Sequence, residues 1–206
     1  MYKKTTLLLG LLLSISASEF HSTSAIANER LLPISTAGVS RAPIGWVEFC
    51  NDNSEECEGQ VRTPMDIALT PRSWRELVRI NNEVNKGIQP LTDIEHFGVL
   101  EKWSYPEDGY GDCEDYVLLK KRLLVRAGFP REALLITVVR DEKGDGHAVL
   151  TAKTNKGEFI LDNQKTDIVL WADTNYRFVK RQSQSDPNVW MTLGDPRPAM
   201  ATASSR

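Results

Sequence analysis

The stretch from Asp112 to Asp162 constrains the fold more than any other part of this 206-residue chain. It opens with a helical pattern in which Val117, Leu118, Leu119, Leu123, Leu124 and Ala127 line one broad apolar face. A face that wide reads as a central helix covered on most of its surface. Gly128 and Pro130 stop it. Three strand-like runs follow, Leu134–Val139, His147–Lys153 and Glu158–Asp162, separated by DEKGDG at 141–146 and by Asn155-Lys156-Gly157. Connections that short join antiparallel neighbours, because a parallel pair needs a long crossover. A helix followed by an antiparallel meander makes the fold class α+β.

The flanking segments are less regular. Thr70 is placed to cap a helix with Pro71 at its first position. Trp74, Leu77, Val78, Asn81 and Val84 then recur at helical spacing up to Gly87. PIGWVEFC at 43–50 has the apolar and aromatic content of a strand, and 51–59 reads as a polar, acidic loop. Residues 28–42 read as an irregular arm, 88–103 as mixed, and 105–111 (YPEDGYG) as a turn-rich loop. Trp171 and Tyr176–Val179 suggest a further strand, and 183–206 a loose C-terminal extension.

Residues 1–27 carry the marks of an export signal: Lys3 and Lys4, an apolar run from Leu7 to Ile15, and Ala25-Ile26-Ala27 as a cleavage site. The run is shorter than the ~20 residues that span a bilayer. The expected organisation is a signal peptide over 1–27, a single domain over 28–182 and the extension beyond it, in the periplasm. The expected mature chain has no membrane span. Net charge is −3 for the whole chain, which speaks against a nucleic-acid partner, since those proteins usually carry a basic excess. All three cysteines lie beyond the leader. An odd count in an exported protein implies one pair and one free thiol. Cys50 and Cys57, with six residues between them, are the expected disulfide in an oxidising compartment. Zinc at this pair would need two more ligands, with only His96 to offer.

Cys113 then remains as the free thiol, in the first turn of the central helix. The positive end of a helix dipole favours a thiolate, which is the reactive form. A nucleophilic cysteine needs a base, and only His96 and His147 lie beyond the leader. His147 begins a strand after a Gly-rich turn. His96 reads as structural. Hairpin arithmetic supplies a third member. With Asn155-Lys156 as the loop, Thr154 faces Gly157, and Asp162 lies diagonal to His147 on the same face. A shifted register puts the two directly opposite. Either way the carboxylate reaches the imidazole and can fix its tautomer.

A Cys at a helix start, a His at a strand start and an Asp on the next strand is the arrangement of the papain and transglutaminase superfamily. The segments GDCEDYVLLKKRLLVRAGFP, GDGHAVLTA and EFILDNQ resemble the bacterial transglutaminase-like cysteine proteinases, which include the LapG-type periplasmic proteases that release surface adhesins. The resemblance runs from about Trp46 to Trp190. It implies a papain/transglutaminase-like fold, with the central helix carrying the nucleophile against an antiparallel sheet. It implies Cys113 as nucleophile, His147 as base and acid, and Asp162 as orienting carboxylate. It also implies a protein substrate, with a surface adhesin as a candidate, and an inner-membrane regulatory protein as a candidate partner. Two rivals stand beside hydrolysis: transglutaminase- or amidase-type acyl transfer on the same triad, and a calcium-dependent binding module with a relic triad. Trp103 either packs beside the nucleophile, as an aromatic does in this superfamily, or is a core tryptophan.

Asp112, Glu114 and Asp115 put negative charge around a group that must ionise, and like charge raises a thiol pKa. Asp112 can serve as the helix cap, with the others as first-turn carboxylates. Alternatively, the three hold a hard cation such as Ca²⁺, which takes oxygen ligands in flexible geometry. LapG-type relatives are similar in using calcium at their D-C-E-D segment. Asp112 and Asp115, three apart on one helix face, form the best ligand pair, with Glu114 third.

Overall fold

The computed structural model describes residues 32–57 and 61–195. The leader-like segment 1–27 lies outside the described residues, as do 196–206 of the expected C-terminal extension. In chain order the strands are β1 (Thr36–Ser40), β2 (Gln89–Pro90), β3 (Tyr110–Gly111), β4 (Leu134–Arg140), β5 (Gly146–Thr154), β6 (Gly157–Leu161), β7 (Val169–Leu170), β8 (Arg177–Gln182) and β9 (Trp190–Leu193). The helices are α1 (Ile44–Asp52), α2 (Ser54–Cys57), α3 (Pro71–Gly87), α4 (Asp93–His96) and α5 (Cys113–Arg126), with short 3-10 turns at Arg131–Ala133 and Trp171–Asp173.

Seven strands form one antiparallel sheet in the order β1-β9-β8-β4-β5-β6-β7. The α+β class stands. Helix α5 packs across β5, with α3 on its other flank. Ile136, Leu150 and Ala152 of the sheet meet Val117 and Leu124 of α5 in one core. Helix α3 starts as its sequence implies. The Thr70 Oγ1 accepts from the Ser73 N–H, and the Ser73 hydroxyl accepts from the Thr70 N–H, satisfying two donors that a helix start leaves free. Leu77, Ile80, Asn81 and Val84 are its buried face.

Four expectations are corrected. PIGWVEFC is helical, not a strand. Trp46 and Phe49 are buried while Ile44 and Val47 are exposed, so the buried positions follow the helical period of three to four, not alternation. Pro43 precedes the first turn, where its missing N–H costs nothing. The loop expected over 51–59 contains α2. The supposed N-terminal arm contains β1, an edge strand on β9 whose side chains are mostly exposed, so no apolar alternation marks it. The expected loose extension from 183 onward is, as far as 195, part of the domain. Strand β9 pairs with both β8 and β1, and Trp190 is fully buried. Trp190 packs edge-on against Trp46 and Trp103 at centroid distances of 6.4 Å. Gly45 allows that packing: a Cβ there would lie 2.2 Å from the Trp103 ring.

Cys50 and Cys57 form the expected disulfide, which ties the end of α1 to α2. Cys113 is the free cysteine. Alkylation of the unreduced protein is therefore expected to add one tag by intact mass. Reduction should destabilise the chain by at most about 2–3 kcal/mol, the chain-entropy value for so short a loop. Three tags without reductant would show an open pair.

Candidate active site

Cys113 occupies the first turn of α5, half-buried. Its Sγ accepts the Ala148 N–H at 3.4 Å. That contact sets the sulfur against the start of β5, next to His147. His147 and Asp162 are both almost completely buried. The His147 Nε2 lies 2.9 Å from the Asp162 Oδ1. The sheet register is the one with Thr154 facing Gly157 and Leu150 facing Leu161. Asp162, the next residue, is thus diagonal to His147, the first of the two placements that the hairpin arithmetic allows.

The Asp162 carboxylate is held on every side. Its Oδ1 also accepts the Gln164 N–H at 3.0 Å, and its Oδ2 accepts the Tyr176 hydroxyl. Burial pushes its pKa up, but bonding to His147, the His147 charge and the Tyr176 bond together outweigh burial and hold it below the usual value. An ionised carboxylate at Nε2 fixes the ring proton there and leaves Nδ1 as the basic nitrogen. The Gln164 Nε2 approaches Nδ1 at 3.5 Å. Tyr176 packs its ring edge-on to the imidazole, 5.7 Å between centroids. Tyr176 and Gln164 carried no sequence signal, because their roles arise only where the loop after β6 meets the chain before β8.

The acidic residues divide into two groups. Asp112, Cys113 and Glu114 have ligand atoms within 4.8 Å of one another, and so do Asp93, Asp112 and Asp115. Asp115 folds back over Gly111. Its Oδ1 accepts the Ser104 N–H at 2.8 Å and its Oδ2 the Asp112 N–H at 3.4 Å. A side chain at Gly111 would collide with it, since a Cβ would sit 2.6 Å from the Asp115 Oδ2. Asp93 is the member that sequence reading missed. It is 19 positions from Asp112, and the parallel β2–β3 pairing, Pro90 opposite Gly111, brings the two segments together.

Electrostatically this corner is overloaded. Burial, then Asp112, push the Glu114 carboxyl up to about 9. Burial is also the main cause for Asp115, at about 7, and for the raised Asp112. The Cys113 thiol donates to the Glu114 Oε2 at 3.1 Å. Burial first, and then the Glu114 charge, hold it well above its usual value, with the Ala148 N–H acting the other way. One buried oxygen, the Asp112 Oδ1, has no hydrogen-bond partner. Carboxylates gathered this closely, with an unused buried oxygen among them, fit a hard oxygen-seeking cation.

The remaining candidates are structural. Trp103 is a core residue between Trp46 and Trp190, and its Nε1 donates to the Glu101 Oε1 at 2.7 Å. His96 pairs with Asp108, 2.8 Å from Nε2 to Oδ2.

Among curated protein sequences, none matches this chain. Solved structures to which this chain is similar include three of LapG from Legionella pneumophila. The first is 21% identical with a TM-score of 0.49, covering 72% of this chain and 78% of that one. An EGTA-treated form gives 21% and 0.49, covering 74% and 81%. A calcium-bound form gives 22% and 0.47, covering 72% and 90%. A family model described as bacterial transglutaminase-like cysteine proteinase matches residues 36–198. That span takes in the whole sheet from β1 to β9 together with Cys113, His147 and Asp162, and the chain accordingly belongs to the bacterial transglutaminase-like cysteine proteinases.

Proposed function

We propose that this chain hydrolyses a peptide amide in a protein substrate, with Cys113 as nucleophile, His147 as general base and acid, and Asp162 as the group that orients His147. The observation that carries the reading is the buried His147–Asp162 pair, 2.9 Å apart, beside a thiol held by the Ala148 N–H. In the first step the thiol proton passes to His147 Nδ1. The sulfur bonds to the substrate carbonyl carbon, and the C–N bond breaks as the imidazolium protonates the leaving amine. Water then attacks the thioester, giving its proton to Nδ1. The C–S bond then breaks, the acid product leaves, and the sulfur takes the proton back from Nδ1. Asp162 stabilises the imidazolium in both halves without taking its proton.

Asp93, Asp112, Asp115 and Glu114 are proposed to hold Ca²⁺, on the strength of the clustered carboxylates and the unpartnered Asp112 oxygen. The ion would supply positive charge beside a thiol that burial, and then its carboxylate neighbours, keep protonated. The proposed location is the periplasm. The leader pattern over 1–27 and the Cys50–Cys57 disulfide support an exported chain in an oxidising compartment. A surface or secreted protein is the corresponding substrate class.

The test is to incubate the purified chain with proteome-derived peptides, with and without an added primary amine. Free new termini support hydrolysis. Products carrying the amine would mean acyl transfer. A calcium-selective chelator is expected to lower activity by at least about tenfold and to lower the melting temperature, since an ion bound only by the folded state stabilises it. Added calcium should restore both, and magnesium should not. Unchanged activity and melting after chelation, with no calcium by elemental analysis, would leave the carboxylates as helix cap and buried hydrogen-bond acceptors.

A further inference from the structure

Gln164 meets the base of the triad from the solvent side. It is exposed, whereas His147 is buried, and its Nε2 lies 3.5 Å from the His147 Nδ1. The ring gives its Nε2 proton to Asp162. Nδ1 is then bare, and only the amino end of the Gln164 amide can bond to it. Nδ1 is also the nitrogen that takes the thiol proton and passes it to the leaving amine. A carboxamide does neither, so it must give up this place when a substrate arrives. Two features allow that. A bond of 3.5 Å lies at the weak end of the hydrogen-bond range. The Gln164 backbone is held separately, its N–H donating to the Asp162 Oδ1 at 3.0 Å, so the side chain can turn while the loop stays.

The space beside Gln164 is a cavity of about 450 Å³, lined in part by Glu142, Asp162, Gln164, Lys165, Asn175 and Tyr176. Three segments enclose it: the β4–β5 loop, the loop after β6 and the chain before β8. Glu142 ties them together, its Oε1 taking the Lys165 Nζ at 3.5 Å and the Asn175 Nδ2 at 3.2 Å. The volume falls in the range of roughly 300–1,000 Å³ that ligand pockets occupy. Gln164 belongs both to this cavity and to the surroundings of Nδ1.

The chemistry decides which half of a substrate lies here. The imidazolium protonates the leaving nitrogen, so that nitrogen comes to Nδ1, where the Gln164 amide now sits. The carbonyl oxygen of the residue that carries this nitrogen is only about 3 Å from it along the backbone. An amide displaced from Nδ1 has that oxygen within reach of its N–H groups.

We infer that Gln164 is a substrate-binding residue for the departing half of the substrate. Its amide, bonded to Nδ1 in the free chain, passes to the carbonyl of the residue after the scissile bond, and the adjoining cavity holds the chain beyond that residue. The exchange replaces the hydrogen bond that Nδ1 gives up, and it does so only for a leaving group that brings a carbonyl. The inference rests on the peptidase reading.

The experiment compares Gln164→Ala and Gln164→Met with the parent chain on two substrates that share one acyl half. The first is a peptide selected from a proteome-derived library because the parent cleaves it. The second is the methyl ester of the N-terminal half of that peptide, whose leaving group, methanol, has no carbonyl. The kcat/KM reports the steps through acylation, while the leaving group is still present. The ratio of peptide to ester kcat/KM should fall about fivefold or more in both variants, the worth of one hydrogen bond made to the departing half. Both variants should melt within about 2 °C of the parent, since an exposed side chain is lost and the backbone bond to Asp162 stays. A ratio within about twofold of the parent overturns the inference: an equal loss on both substrates would make Gln164 a support for His147, and no loss on either would make it surface. Cleavage that persists in Cys113→Ala would overturn the peptidase reading and this inference with it, whereas an unchanged ratio with an inert Cys113→Ala overturns the inference alone.

Discussion

Cys113→Ala will remove peptidase activity by at least about a thousandfold, because members of a catalytic unit fail together when the nucleophile is lost. The protein will still fold. Cys113 is half-buried, so its small side chain leaves no sealed cavity. Its sulfur meets two groups, the Ala148 N–H and the Glu114 carboxyl. The variant relieves Glu114 of a polar neighbour and leaves one N–H for water to satisfy, so the melting temperature should move by no more than about 3 °C. Calorimetry and peptide cleavage on the same preparation check both halves. Full activity in a folded Cys113→Ala protein would remove Cys113 from the chemistry.

The parts of the fold that were legible are those where burial imposes a period. Helix α5 and strands β4 to β6 are buried almost throughout, so their apolar positions mark them and their tight turns fix the direction of pairing. The same hairpin places Asp162 near His147 from residue counting alone, because side chains alternate strictly along a strand. Legibility fails where packing partners are distant in the chain. Trp46 and Phe49 look like strand residues until Trp103 and Trp190 close around them. Strand β9 sits in polar, Pro- and Ser-bearing sequence, and its place depends on β1, some 150 positions earlier. The acidic cluster shows both sides of this. Asp112 and Asp115 share a face by helix geometry, whereas Asp93 joins them only through the two-residue β2–β3 pairing. Glu114 stands beside Asp112 in the other group, where its Oε2 also accepts the Cys113 thiol.

The second large effect is expected from Asp162→Asn, and the hydrogen bonds around Asp162 determine its kind. An asparagine whose Oδ1 keeps the position of the aspartate Oδ1 still accepts from His147 Nε2 and the Gln164 N–H, the two bonds that atom now receives. Its Nδ2 then faces the Tyr176 hydroxyl, which now donates to the aspartate Oδ2 but can accept as readily. Fold and histidine tautomer therefore survive, and what disappears is the charge that stabilises the imidazolium. The loss in kcat should be about a hundred- to a thousandfold, smaller than the roughly ten-thousandfold seen where the same change also reverses the tautomer. KM should change little. Stability should show the charge as well. The Asp162 pKa is lowered in the folded chain, so ionisation stabilises the fold above the unfolded value of about 3.9 and that contribution fades as pH falls through the folded value. The asparagine variant has no such contribution to lose. The gap in melting temperature between parent and variant should thus be widest near neutrality and close below about pH 4. A gap that is constant across this range would mean that the Asp162 carboxylate does not titrate as a stabilising anion in the folded protein.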